Sequence, residues 1–154
     1  MINKTVSYYN NADDSKSKIR YNLDYVLGMI RDDQELFQQT VRLRSISTEE
    51  EYKQAKKLLP MIAPSGVFDY RNDNPENLRE YSNVLVLDFD HFQNHLDAGE
   101  FKRNLIDNAD RLYIYALWFS PSGLGVKVAM LHDNTTPMYH NELFRCIREQ
   151  LYPG

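Results

Sequence analysis

The stretch Asn83–Phe92, NVLVLDFDHF, most constrains the fold of this chain. A short apolar run rich in Val and Leu, bounded by polar residues, reads as a buried strand. That strand ends in two carboxylates one residue apart, Asp88 and Asp90. A buried, unpaired charge costs on the order of several kcal/mol, so the fold must bring both groups to solvent, to a partner or to a cation. Side chains alternate along a strand, which puts Val84, Val86, Asp88 and Asp90 on one face and Leu85, Leu87 and Phe89 on the other. At roughly 3.3 Å of rise per residue the two aspartate Cα atoms lie about 6.6 Å apart. Converging carboxylates at that spacing can hold one divalent ion or bridge two. Mg²⁺ or Mn²⁺ suits such a pair, because these ions take one or two protein carboxylates and leave other positions for water and phosphate. The bland alternative is a surface turn in which Asp90 caps and Asp88 is solvated.

The pattern around this strand is regular. Val84–Phe89 is followed by a helix around Ala98–Asn108, a strand Leu112–Phe119, the turn SPSGLG, a strand Val126–Leu131 and a helix from about Met138 to Leu151. The order β-α-β-β-α stops one strand short of the split β-α-β-β-α-β unit of ferredoxin-like and RNA-recognition-motif-like folds. The chain reaches Tyr152, Pro153 and Gly154 where a last strand is expected, so a truncated C-terminus is the expectation. Ahead of this unit, TVSYYNN reads as a short strand and is followed by a polar loop through Lys18. From Asn22 to Leu43, apolar residues recur at three- and four-residue intervals, predicting one or two amphipathic helices. Thr48 and Glu51 have capping-box spacing before a helix that stops at Pro60. MIAPSGVF, residues 61–68, predicts an extended segment broken at Pro64–Gly66, and Asp69–Asn77 a loop. The expected class is α+β, one domain over 1–154, with a helical and mixed region at 1–80 and a metal and nucleotide unit at 81–154.

Composition closes off several classes. No apolar run approaches the roughly 18 residues that cross a bilayer, and the N-terminus lacks the apolar segment of a signal peptide, so a cytoplasmic protein with no membrane partner is expected. The lone Cys146 excludes an internal disulfide and a cysteine zinc site; it falls in an amphipathic pattern that suits packing. A formal charge of −4 does not mark a strong phosphate binder, but residues 1–60 balance at +1 and the remainder at −5. The acidic surplus lies in the half with the aspartate pair, as a cation site or a solvated acidic surface would produce.

SPSGLGVK, residues 120–127, joins the last two strands. Gly123 and Gly125 permit positive φ or close approach of a ligand, Ser120 and Ser122 offer hydroxyls, and Lys127 adds a cation. Backbone N–H groups in such a turn can form an anion nest, although an ordinary hairpin uses the same residues.

The succession LPMIAPSGVF, YRND, VLVLDFDHF and WFSPSGLGVKVAM resembles the N-terminal domain of VirE-type bacterial mobile-element proteins, a branch of the archaeo-eukaryotic primase (primase-polymerase) superfamily. The resemblance covers essentially the whole chain. It implies a primase-polymerase-like fold with Asp88 and Asp90 as catalytic metal ligands. It implies that Ser122, Gly123, Gly125, Val126 and Lys127 form the motif that binds the phosphates of the incoming nucleotide, and Ser120 in the same turn is a further nucleotide-binding candidate. Lys127 stands where that superfamily usually has histidine, and the third carboxylate is expected beyond Gly154, with Asp133 the in-chain stand-in. Arg71 lies in the resembling stretch and is a candidate phosphate contact; an exposed loop arginine is the alternative. Implied partners are nucleoside triphosphates, DNA template and primer, and a C-terminal helicase or primase-associated region.

Three functions follow: metal-dependent nucleotidyl transfer in replication of a mobile element, an inactive nucleic-acid-binding module serving a fused helicase, and a haloacid-dehalogenase-type phosphatase with Asp88 as nucleophile. The last needs Thr or Val soon after Asp90, where His91 and Phe92 stand instead.

Overall fold

The computed structural model describes residues 1–72 and 74–152. It has a mixed α+β structure organised as two compact units, Asn3–Ser82 and the segment from Asn83 onward. Asp73, inside the expected 69–77 loop, and Pro153 and Gly154, at the expected start of a last strand, lie outside the described residues.

In the first unit, β1 (Thr5–Tyr9) is the middle strand of an antiparallel sheet between β2 (Arg20–Asn22) and β3 (Met61–Ala63). Val6 and Tyr9 are fully buried, consistent with a central position. The amphipathic stretch after Asn22 forms two helices, α1 (Leu23–Asp32) and α2 (Gln34–Arg44), rather than one. The break follows from capping: the Asp33 backbone is extended and its carboxylate accepts from Leu36 N–H at 2.9 Å, starting a new helix. Asn22 starts α1 in the same way, accepting from Asp24 N–H at 3.0 Å. In α3 (Glu49–Lys57) a side-chain pair replaces the expected capping box. The Thr48 hydroxyl donates to the Glu51 carboxylate at 2.7 Å instead of accepting a backbone N–H. β4 (Gly66–Phe68) and β5 (Leu78–Tyr81) form a separate antiparallel pair. Neither β2 nor β5 is marked by apolar periodicity, because both are short and largely exposed.

The second unit holds β6 (Val84–Phe89), α4 (His95–Asp107), the short α5 (Ala109–Leu112), β7 (Ile114–Phe119), β8 (Val126–Leu131) and α6 (His140–Leu151). The strands run in the order β6-β8-β7, with β8 antiparallel to both neighbours. Leu85, Leu87 and Phe89 of β6 join Val126, Val128 and Met130 of β8 in one core, closed by Ala98 and Leu105 of α4 and Leu151 of α6. The helices therefore cover the face that the alternating apolar residues present. Two boundaries differ from expectation. Helix α4 begins three residues early, because the Asn94 side chain accepts from the N–H groups of Leu96 (2.8 Å) and Asp97 (3.0 Å). Leu112, read as the start of β7, ends α5 and is followed by Tyr113 in the left-handed region, φ 55°.

Candidate functional site

The register of β6 and β8 assembles the site. Phe89 lies opposite Val126 and Asp88 opposite Lys127. Directly opposed residues of an antiparallel pair project to the same face. Leu87, Phe89, Val126 and Val128 pack toward the helices, so Asp88 and Lys127 occupy the other face, where the Lys127 ammonium donates to Asp88 Oδ2. The ion pair stays in contact with solvent: the Lys127 side chain is 26% exposed and that of Asp88 40%. On the far side of β8, Trp118 of β7 also stands opposite Lys127, so the row across this face reads Asp88, Lys127, Trp118.

Asp90 follows the end of β6 and lies against the turn. A Cβ added to Gly125 would come within 2.1 Å of Asp90 Oδ1, 2.8 Å of Ser120 Oγ and 3.0 Å of the Phe89 carbonyl oxygen. Only glycine leaves room for that carboxylate oxygen. Ser120 is buried, and its hydroxyl lies 3.0 Å from that of Ser122. The turn closes on itself. Ser120 N–H donates to the Gly125 carbonyl (2.9 Å), Gly123 N–H to the Ser120 carbonyl (2.8 Å) and Leu124 N–H to Ser122 Oγ (3.1 Å). Gly123 takes φ 75°, which costs a glycine little. Three N–H groups are thus engaged within the turn, and the expected open nest of donors is reduced accordingly.

The loop after Asp90 clamps this turn from outside. Phe92 N–H donates to the Leu124 carbonyl at 3.1 Å, and His95 Nδ1 lies 3.0 Å from the Gly123 carbonyl. A carbonyl can only accept, so Nδ1 carries the proton. His95 and Trp118 are the site-bordering residues that sequence reasoning left unassigned. The signal for Trp118 was present: pairing Phe119 with Val126 across SPSGLG puts Trp118 opposite Lys127. His95 carried no such signal, since its role depends on how the 90–95 loop folds.

Two candidates remain, one in each unit. Asp133 follows β8 at the end opposite Lys127, beside His132. The structure does not bring it to the aspartate pair. Arg71 belongs to the first unit, where its guanidinium donates to the Ala12 carbonyl and lies 5.3 Å from the centre of the Tyr9 ring. Its own N–H donates to the Ser15 carbonyl at 2.9 Å, so Arg71 is a structural tie between two loops of that unit.

The arrangement offers two carboxylates, one ammonium, two hydroxyls and an indole within one end of a small sheet. Among the described residues, no three His, Cys, Asp or Glu side chains gather as a metal cluster. Two carboxylates are nonetheless a sufficient protein contribution for Mg²⁺ or Mn²⁺ when a phosphate supplies further oxygens.

Residues 53–151 match the family model described as BT4734-like, N-terminal domain. No curated protein matches the chain, and no solved structure does. The family match overturns the resemblance to the VirE-type, primase-polymerase domains. A strand ending Asp-x-Asp and a Ser/Gly turn recur in many unrelated phosphate-handling folds, so motif order alone did not separate this family from that one. The mobile-element context and the fused helicase rested on that resemblance and are withdrawn with it. With the match running through most of the chain, from α3 to the end of α6, the protein belongs to the BT4734-like N-terminal domain family.

Proposed function

We propose that the second unit binds a nucleoside triphosphate through a divalent cation held by Asp88 and Asp90, in the service of nucleotidyl transfer. One observation carries the reading: cross-strand register sets Lys127 on Asp88, beside the point where Gly125 makes room for Asp90. This juxtaposes opposite charges that a metal-bound polyphosphate can separate and satisfy together. The carboxylates would hold the ion, and Lys127 would exchange Asp88 for a phosphate oxygen as a point charge. Ser122 would donate its hydroxyl, while Trp118 gives an apolar surface next to the lysine. When bound, Mg²⁺ or Mn²⁺ would supply Lewis-acid neutralisation of phosphate charge.

The test is calorimetric titration of the protein with ATP in Mn²⁺. Asp88→Asn and Asp90→Asn are each expected to weaken ATP binding more than roughly tenfold, the scale of one charged contact. Unchanged affinity in both variants refutes the reading. A second reading, binding without turnover, is favoured by the position of Asp133 at the far end of β8. Primer extension separates the two: metal-dependent ATP binding with no nucleotide incorporation supports the second.

A further inference from the structure

The first unit carries a cluster of charge that the aspartate site does not use. A cleft of about 250 Å³ lies between the segment Ser17–Arg20 and the β4–β5 pair. Its lining combines the apolar Ile19 and Phe68 with three cations, Lys18, Arg20 and Arg79, and one carboxylate, Asp69. Local sequence explains the gathering. Tyr8 N–H donates to the Ile19 carbonyl at 2.9 Å, which continues the β1–β2 pairing one residue beyond Arg20. Alternate residues of this extended stretch share a face, so Lys18 and Arg20 project together, on the side of Ser7, the partner of Arg20. Arg79 enters from β5.

Asp69 sits between two of the three cations. Its Oδ1 accepts from Lys18 Nζ at 3.0 Å and its Oδ2 from Arg79 Nε. Lys18, and after it Arg79, hold the Asp69 carboxyl below the usual carboxylate range. Arg20 is 4.0 Å from Glu80, which also accepts from the Asn3 side chain at 2.8 Å. The cations outnumber the carboxylates, and all remain substantially exposed, Lys18 at 68% and Arg79 at 59% of the side chain.

We propose that this cleft binds a small phosphate monoester with an apolar body, and that Asp69 holds the place of the phosphate when no ligand is bound. The two oxygens of Asp69 show that Lys18 and Arg79 are spaced for one oxyanion. A carboxylate brings a single charge, whereas a phosphate ester brings about −1.5 to −2 at neutral pH and three acceptor oxygens, one for each cation. Arginine is well suited to this, since its planar donors match phosphate geometry. The volume falls below the roughly 300 Å³ lower bound of drug-sized pockets, which restricts the ester body to about one ring against Phe68. The inference is independent of the site at Asp88 and Asp90.

The test titrates the protein, by calorimetry and by NMR at constant ionic strength, with phenyl phosphate and separately with inorganic phosphate. Phenyl phosphate is expected to bind roughly tenfold tighter than inorganic phosphate, because its ring leaves water. Arg79→Gln is expected to weaken both severalfold. Asp69→Asn is expected to tighten both, since it keeps the side-chain volume and removes the resident negative charge. That sign is the distinctive readout: a merely structural Asp69 would leave affinity unchanged or reduced, and either result overturns the proposal. Equal affinity for the two ligands overturns the assignment to an ester. Circular-dichroism melts check that the variants fold, and if Arg79→Gln does not, Lys18→Gln must show the same loss.

Discussion

Replacing Lys127 with methionine should move two affinities in opposite directions. In the ligand-free protein Lys127 occupies one oxygen of Asp88, and a divalent cation must compete with it. With the side chains 26% and 40% exposed, the pair falls in the surface class, where the interaction contributes about 0.2–1 kcal/mol. Removing the competitor at similar stem volume should therefore raise Mn²⁺ affinity in the absence of nucleotide about 1.4- to 5-fold. The same substitution removes the ammonium proposed to follow the phosphate. A hydrogen bond to a charged group contributes about 1.5–3 kcal/mol, so ATP affinity in Mn²⁺ should fall by roughly tenfold or more. Calorimetry on the wild type and Lys127→Met, with Mn²⁺ alone and with ATP in saturating Mn²⁺, reads both quantities. Thermal unfolding should show a stability loss of no more than about 1 kcal/mol. If Mn²⁺ binds more weakly to Lys127→Met, or ATP binds unchanged, the exchange of Asp88 for phosphate is wrong.

Gly125→Ala should push the new Cβ into Asp90 Oδ1, Ser120 Oγ and the Phe89 carbonyl. The carboxylate can swing away, but the buried serine and the backbone resist, so a loss of about 1–3 kcal/mol is expected in urea unfolding, with weaker Mn²⁺ binding. Wild-type stability together with wild-type Mn²⁺ affinity would show that the gap at Gly125 is not needed. His132 and His140 lie with ring centres 6.3 Å apart, and burial holds both imidazoles below their ordinary pKa, with His140 adding to the effect on His132. The folded state thus favours their neutral forms, while the unfolded chain protonates near 6.5. Stability from this pair is complete above that pH and is lost as the pH falls through the depressed folded values. Urea midpoints between pH 7.5 and 5 should decline, and the decline should flatten in His132→Gln/His140→Gln.

The elements with strong periodicity were readable in advance. The Val84–Phe89 and Val126–Leu131 strands fall at the expected residues, since each presents alternating side chains to a covered face. Capping and short edges were less legible. Asp33 and Asn94 set helix starts through a single side-chain hydrogen bond, a signal shared with any loop Asp or Asn. Strands β2 and β5 are held by pairing with neighbours distant in sequence, and their own composition says little.

From sequence alone came the mixed α+β class, the expectation that the two aspartates share a face and the candidacy of Lys127, because strand period and residue chemistry are local properties. Tertiary structure decided that Lys127 meets Asp88, that Asp90 rests over Gly125 under the clamp of His95, that Asp133 stands at the far end of β8, and that Arg71 ties loops within the first unit. Those facts depend on register and on how loops close, which are set by contacts between residues some 30–60 positions apart and leave no periodic trace in the chain.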